Sequence, residues 1–305
     1  MKTNSKHSNT FDSTGIAAAL LTASGWALAG IFIRLLPGIS TYFIVAGRFT
    51  VALVVMMPLL WLIQKDRITS IRSLRYAEYW YMSIIIVGCS TLGTTAFQMA
   101  PVGEATLLMN TAPLFVIVYK LLNREKIEKN ESLGVLFAVL GISLILVPQF
   151  SITETGVLQR LLGDGLALIV ALLVAFYAFR FRLLSQRGEA PDEKTLTLLT
   201  LALGSIVLWV VTAFVPNAIK TQVLDEQVLV AFAGLGIIST AIPTLGYAIA
   251  SRRLPPILTT AVLLMEPIFA VIFAYLILKE VPSPLFVPSG LLVLAGLVFI
   301  SKSKQ

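Results

Sequence analysis

Apolar residues run through this chain in stretches of about 20, long enough to cross a bilayer as helices and too uniformly apolar to be the one-sided helices of a water-soluble core. Charged clusters or Pro/Gly breaks divide them, and the pattern predicts spans at 14–36, 40–63, 78–100, 102–121, 132–148, 163–184, 195–214, 228–250, 255–278 and 284–301. The tightest division is Ala100-Pro101-Val102-Gly103, where proline and glycine favour a sharp turn. The predicted fold is therefore an all-α integral membrane protein of ten transmembrane helices.

Composition agrees with the pattern. The 305 residues are 57% hydrophobic and only 13% charged, against roughly 25% charged in a soluble domain, and the mean hydropathy is +0.89. One cysteine, Cys89, rules out a disulfide framework or a four-cysteine zinc site. The single histidine, His7, lies in a polar leader, so histidine-based hydrolase chemistry has no base. No metal or other cofactor is expected, and no GxxxxGK[ST] loop is present to bind ATP.

The net charge of +7 would suggest nucleic acid in a soluble protein, but here charge position gives a better account. With the N-terminus inside, alternate connections hold Lys2 and Lys6; Lys65, Arg67, Arg72 and Arg75; Lys120, Arg124, Lys126 and Lys129; Arg180, Arg182, Arg187 and Lys194; Arg252 and Arg253; Lys302 and Lys304. The opposite connections hold only Arg34, Arg160, Lys220 and Lys279, and Arg48 lies within a span. Cytoplasmic loops retain positive charge, so both termini are expected in the cytoplasm, in a multi-pass protein of the cell inner membrane. The first span is expected to remain as an anchor, because it is too long for the core of a cleaved signal.

The two halves carry related segments. Gly93-Thr94-Thr95-Ala96-Phe97-Gln98-Met99-Ala100 parallels Pro243-Thr244-Leu245-Gly246-Tyr247-Ala248-Ile249-Ala250. Ala112-Pro113-Leu114-Phe115, followed by Arg124-Glu125, parallels Glu266-Pro267-Ile268-Phe269, followed by Lys279-Glu280. Gly134 and Gly141 in the fifth span parallel Gly290 and Gly296 in the tenth. Five spans per repeat is an odd number, so the second repeat must cross in the opposite sense, the inverted-repeat plan of secondary transporters. The expected organisation is a cytoplasmic leader at 1–13, repeats at 14–148 and 163–301, an outer linker at 149–162 and a cytoplasmic tail at 302–305.

In their order and spacing these segments, with Gly25-Trp26-Ala27, Phe176-Tyr177-Ala178 and Ala46-Gly47-Arg48-Phe49, resemble the ten-helix EamA branch of the drug/metabolite transporter superfamily. The chain departs from the family pattern in lacking an arginine in the seventh span and in one extra residue between Pro267 and Glu280 relative to Pro113 and Glu125. The resemblance implies a transporter, not an enzyme, for small organic solutes such as amino acids, related metabolites or drugs. It also implies a central cavity bounded by spans one, three, four, six, eight and nine. An exporter working by alternating access is the leading expectation; a passive channel or an intramembrane enzyme is the alternative, the enzyme disfavoured for want of a mid-membrane histidine, paired aspartates or a metal cluster.

Several mid-span polar residues are candidates for the site. Glu266 would cost about 2.5–3.5 kcal/mol if ionised and unpartnered at the bilayer centre. It is either a ligand for a substrate ammonium or a carrier of coupling protons, or else a neutral or paired carboxyl between helices. Arg48 reads as a structural charge bonding between helices, with pairing to a carboxylate such as Glu266 also open. Gly103, Thr106, Asn110 and Pro113 share one face of the fourth span, and Thr259, Leu263, Glu266 and Ala270 one face of the ninth. Such faces line a cavity or bond neighbouring helices. Thr94, Thr95, Gln98, Ser239, Thr240, Thr244 and Tyr247 add polar groups on the third and eighth spans. Trp26 and Tyr177 lie mid-span, away from the interfacial belt; they either stack on a substrate or pack. Asp164 is expected to cap the sixth helix, and Glu125 and Glu280 to be exposed end charges. The expected partners are a small organic solute, protons and the lipid bilayer, with no nucleic acid.

Overall fold

The computed structural model describes residues 13–63, 76–122, 124, 128–146, 156–187, 189, 191–215, 225–254 and 262–301. The helices are α1 (Ser13–Arg34), α2 (Thr41–Ile63), α3 (Ala77–Met99), α4 (Val102–Met109), α5 (Ala112–Leu122), α6 (Lys129–Leu146), α7 (Val157–Gln186) and α8 (Glu193–Phe214). They continue with α9 (Glu226–Ala233), which runs through a π-helical stretch at Gly234–Ala241 into α10 (Ile242–Arg253). Then come α11 (Glu266–Phe273), extended by a π-helical turn at Ala274–Leu278, and α12 (Phe286–Ser301).

These segments are helical because an apolar environment leaves the backbone no partner but itself. Side chains on their outward faces are apolar and exposed: Val54, Ile84, Ile206 and Leu291 are each 60% exposed or more, which suits lipid rather than water. Among the described residues, seven helical segments are long and apolar enough to cross a membrane, and Glu266–Leu278 and Phe286–Gly296 are shorter apolar helices. The chain is thus a multi-pass, all-helical membrane protein. Polar caps appear at helix starts: the Asp192 carboxylate accepts from Thr195 N at 3.0 Å, and Glu131 accepts from Glu128 N at 2.9 Å.

Helix neighbours follow a regular scheme. The main pairs are α1 with α10, α3 with α7, α2 with α8 and α6 with α12. Next come α1 with α11, α4 and α5 with α7, α3 with α8, α2 with the π-helical stretch, and α4 with α11. Small residues allow the closest crossings. A Cβ on Gly296 would lie 2.5 Å from Gly134 O, and one on Gly141 2.7 Å from Ser289 O, so Gly141 and Gly296 let α6 and α12 pack closely.

Three expectations are corrected. Helix α7 begins at Val157, so residues 157–162 are helical and are not linker. Asp164 therefore lies inside that helix, fully buried, and is not its cap. The fourth span is not one continuous helix: α4 ends at Met109, turns at Asn110-Thr111, and α5 starts at Ala112. Proline supplies the reason, because Pro113 has no N–H for the carbonyl of Met109.

Candidate functional site

Two helices break just before an Ala/Glu-Pro pair, one between α4 and α5 and one ahead of α11. Asn110 and Thr111 form the turn before Ala112-Pro113, and Leu264 and Met265 form the turn before Glu266-Pro267. Tight turn bonds replace helical ones, with Thr111 N to Leu108 O at 3.1 Å and Met265 N to Val262 O at 3.0 Å. The helices that carry the breaks, α4 and α11, pack against each other, with the Asn110 side chain near the Glu266 carboxyl. Irregular backbone at this depth is tolerated where it is enclosed by protein or lines a cavity.

Near them, α4 is buried from Val102 to Leu108. Thr106, buried one turn before Asn110, donates its hydroxyl to Val102 O at 2.8 Å, while Asn110 Nδ2 donates to Thr106 O at 3.0 Å. The Asn110 Oδ1 and the second Nδ2 proton remain to face Glu266 or a solute. The arrangement offers a carboxyl, an amide donor and an amide acceptor, which matches the ammonium and carboxylate of a zwitterion.

Other candidates lie on other helices. The Trp26 ring on α1 stands 5.9 Å from that of Tyr247 on α10, and Tyr247 is 44% exposed. Close approach of these helices comes from Gly25, where a Cβ would lie 2.5 Å from Pro243 Cγ. Tyr177 is not in that pair. It stacks on Phe181 and packs into a cluster with Tyr79, Met82, Leu184 and Leu196.

Both ends of the Gln98 amide are engaged at the α1–α2 turn: Oε1 accepts from Thr41 at 2.7 Å and Nε2 donates to Ile39 O at 3.0 Å. Arg48 donates from Nε to Thr240 Oγ1 at 2.6 Å and from Nη2 to Ser239 O at 3.3 Å. It thereby ties α2 to the π-helical stretch and does not pair with Glu266. Thr259 lies outside the described residues. Among the described residues no group of three or more His, Cys, Asp or Glu is placed to hold a metal ion.

Sequence reasoning missed one ionic centre. Glu104, in the first turn of α4 and 3% exposed, receives both Nε (2.9 Å) and Nη2 of Arg160 from α7. Glu280 was misjudged as an exposed end charge: its Oε1 is 3.4 Å from Arg34 Nε and its Oε2 accepts from Val102 N at 3.1 Å. Arg34 Nη2 also donates to Ala100 O at 2.8 Å. The available signal was a carboxylate three residues after Pro101 in an apolar run, which requires a buried partner.

Broken apolar helices that bring polar side chains together inside a multi-pass bundle define a membrane transporter architecture. The chain matches the model of the EamA-like transporter family over residues 13–147 and again over 161–302. It belongs to that family, whose members are transporters and not enzymes.

An "Uncharacterized transporter" of Archaeoglobus fulgidus is 24% identical over 291 residues, covering 93% of this chain and 96% of the relative. A "Probable terminal-alkyne amino-acid exporter" of Streptantibioticus cattleyicolor is 25% identical over 232 residues, covering 72% and 73%. A solved crystal structure aligns over 94% of this chain and 96% of its own, with a TM-score of 0.65 at 16% identity, which shows a shared fold.

Proposed function

We propose that this chain is a ten-span secondary transporter, built from two inverted five-helix repeats, that exports amino acids or related small ammonium-bearing solutes across the cytoplasmic membrane by alternating access. The observation that carries the reading is the packing of two broken helices, α4 and α11, with Asn110 near Glu266.

Several features support the inverted repeats. Advancing each span by five turns the first–eighth contact into sixth–third, the first–ninth into sixth–fourth and the second–eighth into seventh–third; the second–seventh, fourth–ninth and fifth–tenth contacts map onto themselves. The two non-glycine residues with positive φ among the described residues are Arg124 (55°) and Lys279 (57°), which end the fourth and ninth spans alike. The family matches twice, over segments of similar length. Export of amino acids draws support from the named function of the Streptantibioticus relative. The basic connections favour both termini inside.

In this mechanism Glu266 binds the solute ammonium as a carboxylate and is protonated when the solute leaves, so proton entry drives solute exit. Asn110 orients the solute, and Trp26 with Tyr247 flanks its side chain. Counterflow of amino acids in liposomes tests the reading: saturable exchange is expected, whereas unsaturating flux would make the protein a channel.

A further inference from the structure

Between α9 and α10 the backbone bonds five residues back. The turns over Gly234–Ala241 are π-helical, and the stretch closes with Ile242 N donating to Ile237 O. Such turns are rare and cluster at functional sites. Two side chains account for this one. Pro243 has no N–H to return to the Ser239 carbonyl, which would be its acceptor in an α turn. Arg48 of α2 supplies a donor in its place, from Nη2 to Ser239 O at 3.3 Å. Its Nε donates to Thr240 Oγ1 at 2.6 Å, and the Thr240 hydroxyl proton goes to Leu235 O, five residues back, at 2.8 Å. In α turns a threonine hydroxyl bonds four back, as Thr50 does to Ala46 and Thr244 to Thr240. One guanidinium thus serves two adjacent residues of the widened helix.

The extra residue in a π turn decides which face α10 presents. Pro243, Gly246 and Tyr247 share one face and lie along Thr22, Gly25 and Trp26 of α1. Thr22 Oγ1 donates to Pro243 O at 3.3 Å, and a Cβ on Gly246 would lie 2.5 Å from Thr22 Oγ1. The Trp26 and Tyr247 ring centroids are 5.9 Å apart. The π-helical stretch has its own grip on the neighbouring helices: a Cβ on Gly234 would lie 2.4 Å from the Phe32 ring, and one on Gly236 2.4 Å from Val51 Cβ. With that part held, loss of one π turn would rotate α10 by about 100° and shift it by about 1.5 Å. Leu245 would come to the place of Gly246, and Tyr247 would turn away from Trp26.

We propose that Arg48 is a positioning residue: by holding the π turns open it sets the register of α10 and so seats Tyr247 opposite Trp26 in the solute site. The inference rests on the reading above that this aromatic pair flanks the solute. Arg48 acts from α2 through Thr240 and the Ser239 carbonyl, and its effect reaches the rings only through the helix that carries Tyr247. A side chain of similar bulk without donors therefore releases the register while leaving both rings in place along the chain.

The test uses the full chain in detergent, with Cys89→Ala removing the native thiol. Thr22→Cys with Gly246→Cys reports the observed register, because their Cβ atoms would stand 3.7 Å apart, within disulfide spacing. Thr22→Cys with Leu245→Cys reports the shifted one. Closure by copper phenanthroline is read as protection from maleimide-linked polyethylene glycol on a gel. In the parent the first pair should close fast and the second slowly. Arg48→Met and Thr240→Val should each slow the first about tenfold and speed the second, the change that loss of one charge-assisted hydrogen bond produces. Arg48→Lys, which keeps a donor for Thr240, should restore the parent order in part. Slow closure of the first pair in the parent, which requires no Arg48 variant to fold, overturns the proposal. So does the parent order in monodisperse Arg48→Met and Thr240→Val, and so does slowing of the first pair with no gain in the second, which is loosening without a change of register. Closure needs no solute, so a shifted register with unchanged solute affinity in Arg48→Met would uphold the role of Arg48 while removing the aromatic pair from the solute site.

Discussion

Replacing Arg160 by methionine should destabilise the protein far more than replacing Glu104 by glutamine, although the two residues form one ion pair. Their side chains are 32% and 4% exposed. Without Arg160, a carboxylate enclosed by α4 and α7 has lost both guanidinium bonds, and breaking a buried pair from that side costs roughly 3 kcal/mol. Without the Glu104 charge, Arg160 can extend its head toward water along its apolar stem, so the loss is about 1 kcal/mol. With a shift of roughly 2–4 °C in Tm per kcal/mol, Arg160→Met should lower Tm on the order of 6 °C and Glu104→Gln by about 2 °C. The double variant should lie close to Glu104→Gln, giving a coupling of roughly 3 kcal/mol. Thermal unfolding of purified protein in one detergent measures all four corners. Equal losses in the two single variants, or additive losses in the double, would refute the argument from burial.

Glu266→Gln should retain exchange of solute and lose the response to an imposed pH gradient; a pH dependence like the parent's would make the carboxyl structural. Trp26→Ala should weaken solute affinity with little change in Tm, on the order of 1 kcal/mol of binding, while Tyr177→Ala should lower Tm, as its packing against Tyr79 and Leu196 requires. Equilibrium binding and unfolding measured side by side separate them, and the reverse assignment would sink it. Gly296→Val should cost about 1–3 kcal/mol because its new carbons meet the Gly134 carbonyl and Ala138; unaltered stability would show that α6 and α12 part easily. Reporter fusions after Gln305 should be active only in the cytoplasm, and activity outside would invert the topology.

The membrane class, the approximate spans and the family are legible in the sequence because bilayer thickness turns composition into length, a one-dimensional property. The double family match has related segments behind it in the sequence: Pro113 and Pro267, each followed at nearly equal spacing by Arg124-Glu125 and Lys279-Glu280. Glu266 is conspicuous because a carboxyl in an apolar run is costly in any fold. Tertiary structure alone decides which polar residues meet. Asn110 comes near Glu266 because two broken helices, α4 and α11, pack together, whereas Gln98, equally polar, is consumed by Thr41 and Ile39. Trp26 and Tyr177, counterparts along the chain, have different neighbours, since equivalent places in two repeats are filled by unlike side chains. Arg160 and Glu280 look like solvated end charges in sequence, and only the convergence of four helix ends gives each an opposite charge from a distant span. Ion pairing acts over a few ångströms between residues 56 and more positions apart, and no local pattern encodes that distance.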